Sequence, residues 1–377
     1  KYQALSEDEV ARYLKQAEDA DKAKEAGSKV LAVVGKGIVY DTGGLSIKGK
    51  EGMPGMKRDM GGSAAVLGSF SAAVRSGVVD SAGVTLHAIL CLAENAVDER
   101  ATRPDDVHTA YSGLTVEINN TDAEGRLVLS DGCAFAAKDL GATPIVDIAT
   151  LTGAQGIATG QRHAAIMTPS EGMEAIALAA GKSTGNLCFP VLYAPEFTRG
   201  EFHSAVADMK NSVKARNNAQ VSCAGQFIGN HLAPFIANGG KWLHIDCASP
   251  AFNKSTERAT GFGVFFLIEV FASIAFATAL AAMCFGPNAR FFGFGTSPTG
   301  TCSSGDFLVP IFVCAGSILL HTLLYVAIHR HIMSLCSLNV WVLSWRWIRA
   351  NHVFIGMVVA AMLSKLAELA LSQYVGL

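Results

Sequence analysis

Three short segments concentrate the side chains able to do chemistry: GKGIVYDTGGLSIK at 35–48, KRDMGG at 57–62 and NTDAEGR at 120–126. Together they supply Lys36, Asp41, Lys48, Asp59, Asp122, Glu124 and Arg126. Four carboxylates in one glycine-rich region repel one another if they are buried without cations. Two divalent ions would balance their charge, and an oxygen-rich donor set suits Mg²⁺, Mn²⁺ or Zn²⁺ better than copper or iron–sulfur centres. Asp122 and Glu124 are two residues apart, which on an extended segment turns both to one side. Asp41-Thr42-Gly43 alone also matches the triplet of aspartic peptidases. That chemistry needs two carboxylates sharing a proton, and no second D-T-G or D-S-G triplet occurs. The ten histidines form no H-E-x-x-H pattern, which argues against a histidine-zinc site. Ser63 follows two glycines but lacks a G-x-S-x-G elbow.

These residues need elements to position them. The apolar run 30–34 predicts a buried strand that delivers Lys36 at its C-terminal edge. Residues 61–74, rich in Ala, Val and Leu, predict a closely packed helix. Strands are expected at 84–92, 145–148, 164–167 and 243–245, and helices at 127–140 and 173–180. Strands alternating with helices imply an α/β fold: a mixed, mostly parallel sheet covered by helices on both faces. Sites in such sheets form beyond the carboxyl ends of the strands, where the polar clusters fall. His244 and Asp246 on the last strand read as structural, and Cys133 reads as core. Ahead of the sheet, Ser6 and Glu9 fit a capping box that opens a polar helical leader over 1–27. Its charged, helical pattern is unlike a secretory leader.

The three segments resemble the signature of the leucyl aminopeptidase (cytosol aminopeptidase) family, of which NTDAEGR is diagnostic. The spacing Lys36–Asp41–Lys48–Asp59 matches the same pattern, as do Thr150–Leu151–Thr152–Gly153 and the closing stretches WLHIDCASPAF and ATGFGV. The resemblance covers residues 28–264, is nearest to an aminopeptidase-like branch of animals, and implies the family's catalytic domain with its N-terminal part shortened. It further implies two divalent ions, Zn or Mn, bridged by Asp41 and Glu124. Asp122 would complete the first metal site, and Lys36 and Asp59 the second. A lysine ligates only as a neutral amine, so the metal must depress its pKa. Lys48 would stabilise the oxyanion, and Arg126 would hold a bicarbonate ion acting as general base. Met56, Leu151, Thr152 and Gly153 would bind the substrate, a peptide with a free N-terminus and an apolar, leucine-like first residue. Members of the family form hexamers built from trimers.

Composition divides the chain. Of 377 residues, 50% are hydrophobic and 16% charged, with a formal net charge of −2. No Lys/Arg-rich run points to nucleic acid. After Val264 only eight charged residues remain in 113. Residues 265–377 therefore read as an apolar α-helical tail with two or three candidate transmembrane helices, at 265–285, 307–328 and 352–371. Trp341, Trp345 and Trp347 would form an interfacial belt, and Arg330, Arg346 and Arg349 would lie on the cytoplasmic side. Nine cysteines without a C-x-x-C pair suit free thiols in a reducing compartment. The expectation is a cytoplasmic aminopeptidase domain tethered to a membrane by its tail. The alternative is a catalytically inactive, membrane-anchored scaffold derived from one.

Overall fold

The computed structural model describes residues 29–79, 83–215 and 217–285. The leader over 1–27 and the candidate spans at 307–328 and 352–371 lie outside the described residues. Eleven strands are described: β1 (Lys29–Asp41), β2 (Val84–Asn95), β3 (Val107–Thr109), β4 (Thr115–Glu117), β5 (Ile145–Ala149), β6 (Ala164–Met167), β7 (Cys188–Pro190), β8 (Met209–Lys210), β9 (Trp242–Asp246), β10 (Phe252–Asn253) and β11 (Arg258–Ala259). The main helices are α1 (Gly61–Ser76), α2 (Gly125–Lys138), α3 (Glu171–Thr184), α4 (Gln220–His231) and α5 (Val264–Phe285). Six strands form the central sheet in the order β2-β1-β5-β9-β6-β7. All neighbours run parallel except β6 against β9. This is the mixed, mostly parallel α/β sheet that the alternating pattern implies.

Alternation along β1 shows why both faces need cover. Leu31 and Val33 enter the core beneath α1 and α5, while Val30, Ala32 and Val34 enter the core beneath α2 and α4. A strand buried on both sides reads as an unbroken apolar run. The helices come close because small residues let them. A Cβ on Gly62 would stand 2.1 Å from the Ile148 carbonyl oxygen, so only glycine lets the start of α1 rest on β5.

The apolar run after Val264 is not a membrane span in this structure; α5 closes the domain. Phe266, Leu267, Val270, Phe271, Ile274 and Ala275 are buried, all but Ala275 in the same core as Leu31, Val33 and Val146. They recur at helical spacing, so one stripe faces the sheet. The domain boundary expected at Val264 thus falls inside one packed unit. Here α1 and α3 pack against α5, and its inner residues share one core with Val33, Val146 and Ile148 of the sheet. Among the described residues, no helix is long and apolar enough to cross a membrane.

Candidate active site

Lys36 lies inside β1, not at its end. Its ladder with β2 continues past it, but the ladder with β5 stops at Gly35, so Lys36 is the first residue beyond β5. In a regular strand Lys36 and Asp41, five apart, face opposite ways. The register shifts between Ile38 and Asp41, and this irregularity turns Asp41 towards the lysine's side. Segment 120–126 is also not extended. Thr121–Ala123 is a turn of 3-10 helix, capped by Asn120, whose side chain accepts from the Asp122 amide at 3.0 Å. Tight winding separates the two acids: Asp122 meets Lys48, and Glu124 meets Lys36.

The ammonium of Lys36 stands 2.7 Å from Asp59 and 3.0 Å from Glu124, and donates to the Thr150 carbonyl at 3.3 Å. Lys48 lies 2.8 Å from Asp41 and also pairs with Asp122. Gly125 makes room for this arrangement, since a Cβ there would lie 2.5 Å from Cε of Lys36. Burial opposes charge on Lys36, but Glu124 and Asp59 outweigh it and raise its pKa above the ordinary lysine value. Burial also opposes charge on Lys48, and Asp122 and Asp41 again reverse the direction. For Asp59, burial prevails over Lys36 and lifts the carboxyl to about 6. Burial raises Asp122 despite Lys48, whereas at Asp41 the bonds from Lys48 and Asn95 overcome burial and lower it.

The donor chemistry fits divalent cations. Ligand oxygens of Asp41, Asp59 and Glu124 lie within 4.8 Å of one another, and Asp122 is joined to Asp41 through Lys48. Hard carboxylate oxygens in this number suit Zn²⁺, Mn²⁺ or Mg²⁺. The cluster opens into a cavity of about 860 Å³. Arg126, Met56, Leu151, Thr152 and Gly153 line that cavity with the acids and lysines, so all eleven residues singled out in the sequence share it.

Sequence reasoning missed the residues that hold this lining in place. Asn95, opposite Asp41 in the β1–β2 ladder, donates to Asp41 at 2.9 Å and Glu124 at 3.2 Å. Asn211, fully buried, accepts from the amides of Asn119 and Asn120 and donates to the carbonyls of Asn120 and Ala123. Its own carbonyl accepts from Arg126 at 3.1 Å. Asp246 accepts from the Leu151 and Thr152 amides and the Thr152 hydroxyl, so it fixes the loop beyond β5 as well as packing. His244 is structural, paired with Asp147 at 2.6 Å, and Cys133 is buried. A polar residue ending an apolar strand, as Asn95 and Asp246 both do, was the available signal.

An α/β sheet with acids and lysines converging where its strand ladders end places a ligand site as such sheets do, with a donor set that suits divalent cations. The chain belongs to the cytosol aminopeptidase family: the model of that family's catalytic domain matches residues 19–268. Probable aminopeptidase NPEPL1 of Mus musculus is 60% identical over 247 residues, 66% of this chain and 46% of that protein. Leucine aminopeptidase 1 of Caenorhabditis elegans is 50% identical over 62% of this chain and 46% of its own length. Among solved structures, leucyl aminopeptidase of Trypanosoma brucei in complex with bestatin superposes with a TM-score of 0.61 at 50% identity, covering 65% of this chain and 46% of that one. The chain spans about half the length of the relatives it matches.

Proposed function

We propose that this domain is a metalloaminopeptidase that hydrolyses the first peptide bond of a peptide and releases an apolar, leucine-like amino acid. The observation that carries the reading is the convergence of four carboxylates and two lysines on one cavity, beside the loop anchored by Asp246. Asp41 and Glu124 would hold both divalent ions, Asp122 would complete the first site, and Lys36 and Asp59 the second. Zn²⁺ or Mn²⁺ supplies an acidified water and a polarised carbonyl when bound. Lys48, kept as an ammonium by Asp122 and Asp41, stabilises the oxyanion that develops on the scissile carbonyl. Arg126 would hold bicarbonate as the general base. With its amides tied to Asp246, the Leu151–Thr152 backbone is a fixed rail for the substrate, and Met56 and Gly153 bound the space for the first side chain. A cytoplasmic placement of the domain is part of this reading, supported by the family's name.

The test is release of leucine from leucyl-amide by the purified chain with and without Zn²⁺ or Mn²⁺, against an Asp122→Ala, Glu124→Ala double variant. Metal-dependent turnover that the double variant lacks is the expected result. Folded, metal-loaded protein without turnover would sink the proposal. That outcome would favour a non-catalytic scaffold.

A further inference from the structure

The cavity carries a second charged region that the bond-breaking chemistry leaves unused. Beyond Asp41, Asp59, Asp122 and Glu124, no described acidic side chain lines it, whereas Arg58 and Lys254 do. Arg58 ends the 3-10 turn Met56–Arg58 directly before Asp59, so the chain itself keeps it beside the cluster. Its guanidinium lies over the Phe252 ring, 4.7 Å from the centroid. Gly55 gives it space on another side: a Cβ there would stand 2.2 Å from Nη1 of Arg58. Among the described residues no carboxylate pairs with this guanidinium. Lys254 follows two residues after Phe252 and is exposed.

Stacking on an aromatic face holds a guanidinium by its plane and leaves the donors on its edge for another group. Those donors form a rigid fork that matches a carboxylate. Half-burial in a cavity weakens screening relative to an open surface, and a stacked side chain loses less freedom on binding. We propose that Arg58, assisted by Lys254, is a receptor for a carboxylate of the peptide substrate, so that the domain favours peptides with a negative charge near the cleaved bond. The proposal rests on the aminopeptidase reading and names the substrate class for the same cavity.

Three substrate pairs distinguish where that carboxylate comes from. Leucyl-alanine against leucyl-alanine amide tests the free C-terminus of a dipeptide. Leucyl-aspartyl amide against leucyl-asparaginyl amide tests the second side chain. Glutamyl-alanine amide against glutaminyl-alanine amide tests the first. In the metal-loaded protein one pair is expected to show kcat/KM higher for the acid by about 10- to 100-fold, the range for a hydrogen bond to a charged group. Arg58→Met should bring that ratio near one, Arg58→Lys should keep an intermediate ratio, and Lys254→Met should lower it by a smaller factor. Turnover with flat ratios in all three pairs, or a ratio that Arg58→Met leaves intact, overturns the carboxylate receptor alone. Failure to hydrolyse any of the six peptides overturns the aminopeptidase reading and this proposal with it.

Discussion

The inner part of the carboxylate–lysine cluster and the inner stripe of helix α5 are both buried, yet they are specified in opposite ways. The cluster is built from charges whose burial is tolerable only with particular partners at particular distances, such as Lys36 between Asp59 and Glu124. Apart from the buried Glu269, the inner stripe of helix α5 is built from Phe, Leu, Val, Ile and Ala that need only a dry surface, and the core shared with α1, α3 and the sheet provides it. Paired charges admit few alternative environments. An apolar stripe admits several, so composition alone does not separate a core helix from a membrane helix.

The largest expected effect tests the apolar half of that comparison. Phe271 is fully buried among β-sheet and helix side chains. Phe271→Ala should destabilise the domain by about 3–5 kcal/mol, the range for deleting a buried phenylalanine ring, read as a lowered urea midpoint with unchanged slope. A stability equal to the parent's would mean that α5 does not rest on the sheet, and the membrane reading of residues 265–285 would return.

The same contrast explains what was legible in the sequence. Lys36, Asp41, Asp59, Asp122 and Glu124 could be grouped before any fold was known, because four acids in a glycine-rich region demand compensating cations. The strands read at 145–148 and 164–167 were legible as short apolar runs between turn residues, and the first runs one residue further, to Ala149. Three things were not. The register shift ahead of Asp41 depends on pairing with β2, which no local pattern announces. The 3-10 turn at Thr121–Ala123 depends on the Asn120 cap, so the expected extended geometry of Asp122 and Glu124 gave way to a tighter one. Asn95, Asn211 and Asp246 act through backbone groups more than 20 residues away, and their partners become visible only once the sheet is assembled.

A second variant sharpens the charged half. Lys48→Met removes the ammonium that pairs with Asp41 and Asp122. If Lys48 stabilises a developing oxyanion, kcat for leucyl-amide should fall by about 100- to 1000-fold, as when a single oxyanion donor is lost, with a smaller change in KM. An unchanged kcat with a raised KM would instead assign Lys48 to ground-state binding.

The third prediction concerns a buried base that has no carboxylate to rescue its charge. His231 ends α4 with Nδ1 2.6 Å from the Ser112 hydroxyl and its ring 4.7 Å from that of Phe227. Burial pushes its pKa down from 6.5 to about 4, the reverse of Lys36, where neighbouring acids win. Between those values the unfolded chain binds a proton that the folded chain refuses, so stability is fully present above pH 6.5 and is lost as pH falls towards 4. The contribution is about 3 kcal/mol at most, since each tenfold loss of proton affinity corresponds to about 1.4 kcal/mol. Acidic groups add their own dependence, so the quantity to measure is a difference: urea unfolding of the parent and of His231→Gln at about pH 4.5 and 7, near the two ends of the window that burial opens. The parent should lose about 2–3 kcal/mol more than the variant on acidification, because glutamine has no charge to refuse. Equal losses would mean that the imidazole protonates within the fold, with water or a partner reaching Nε2, and that burial alone does not decide its charge as carboxylates decide that of Lys36.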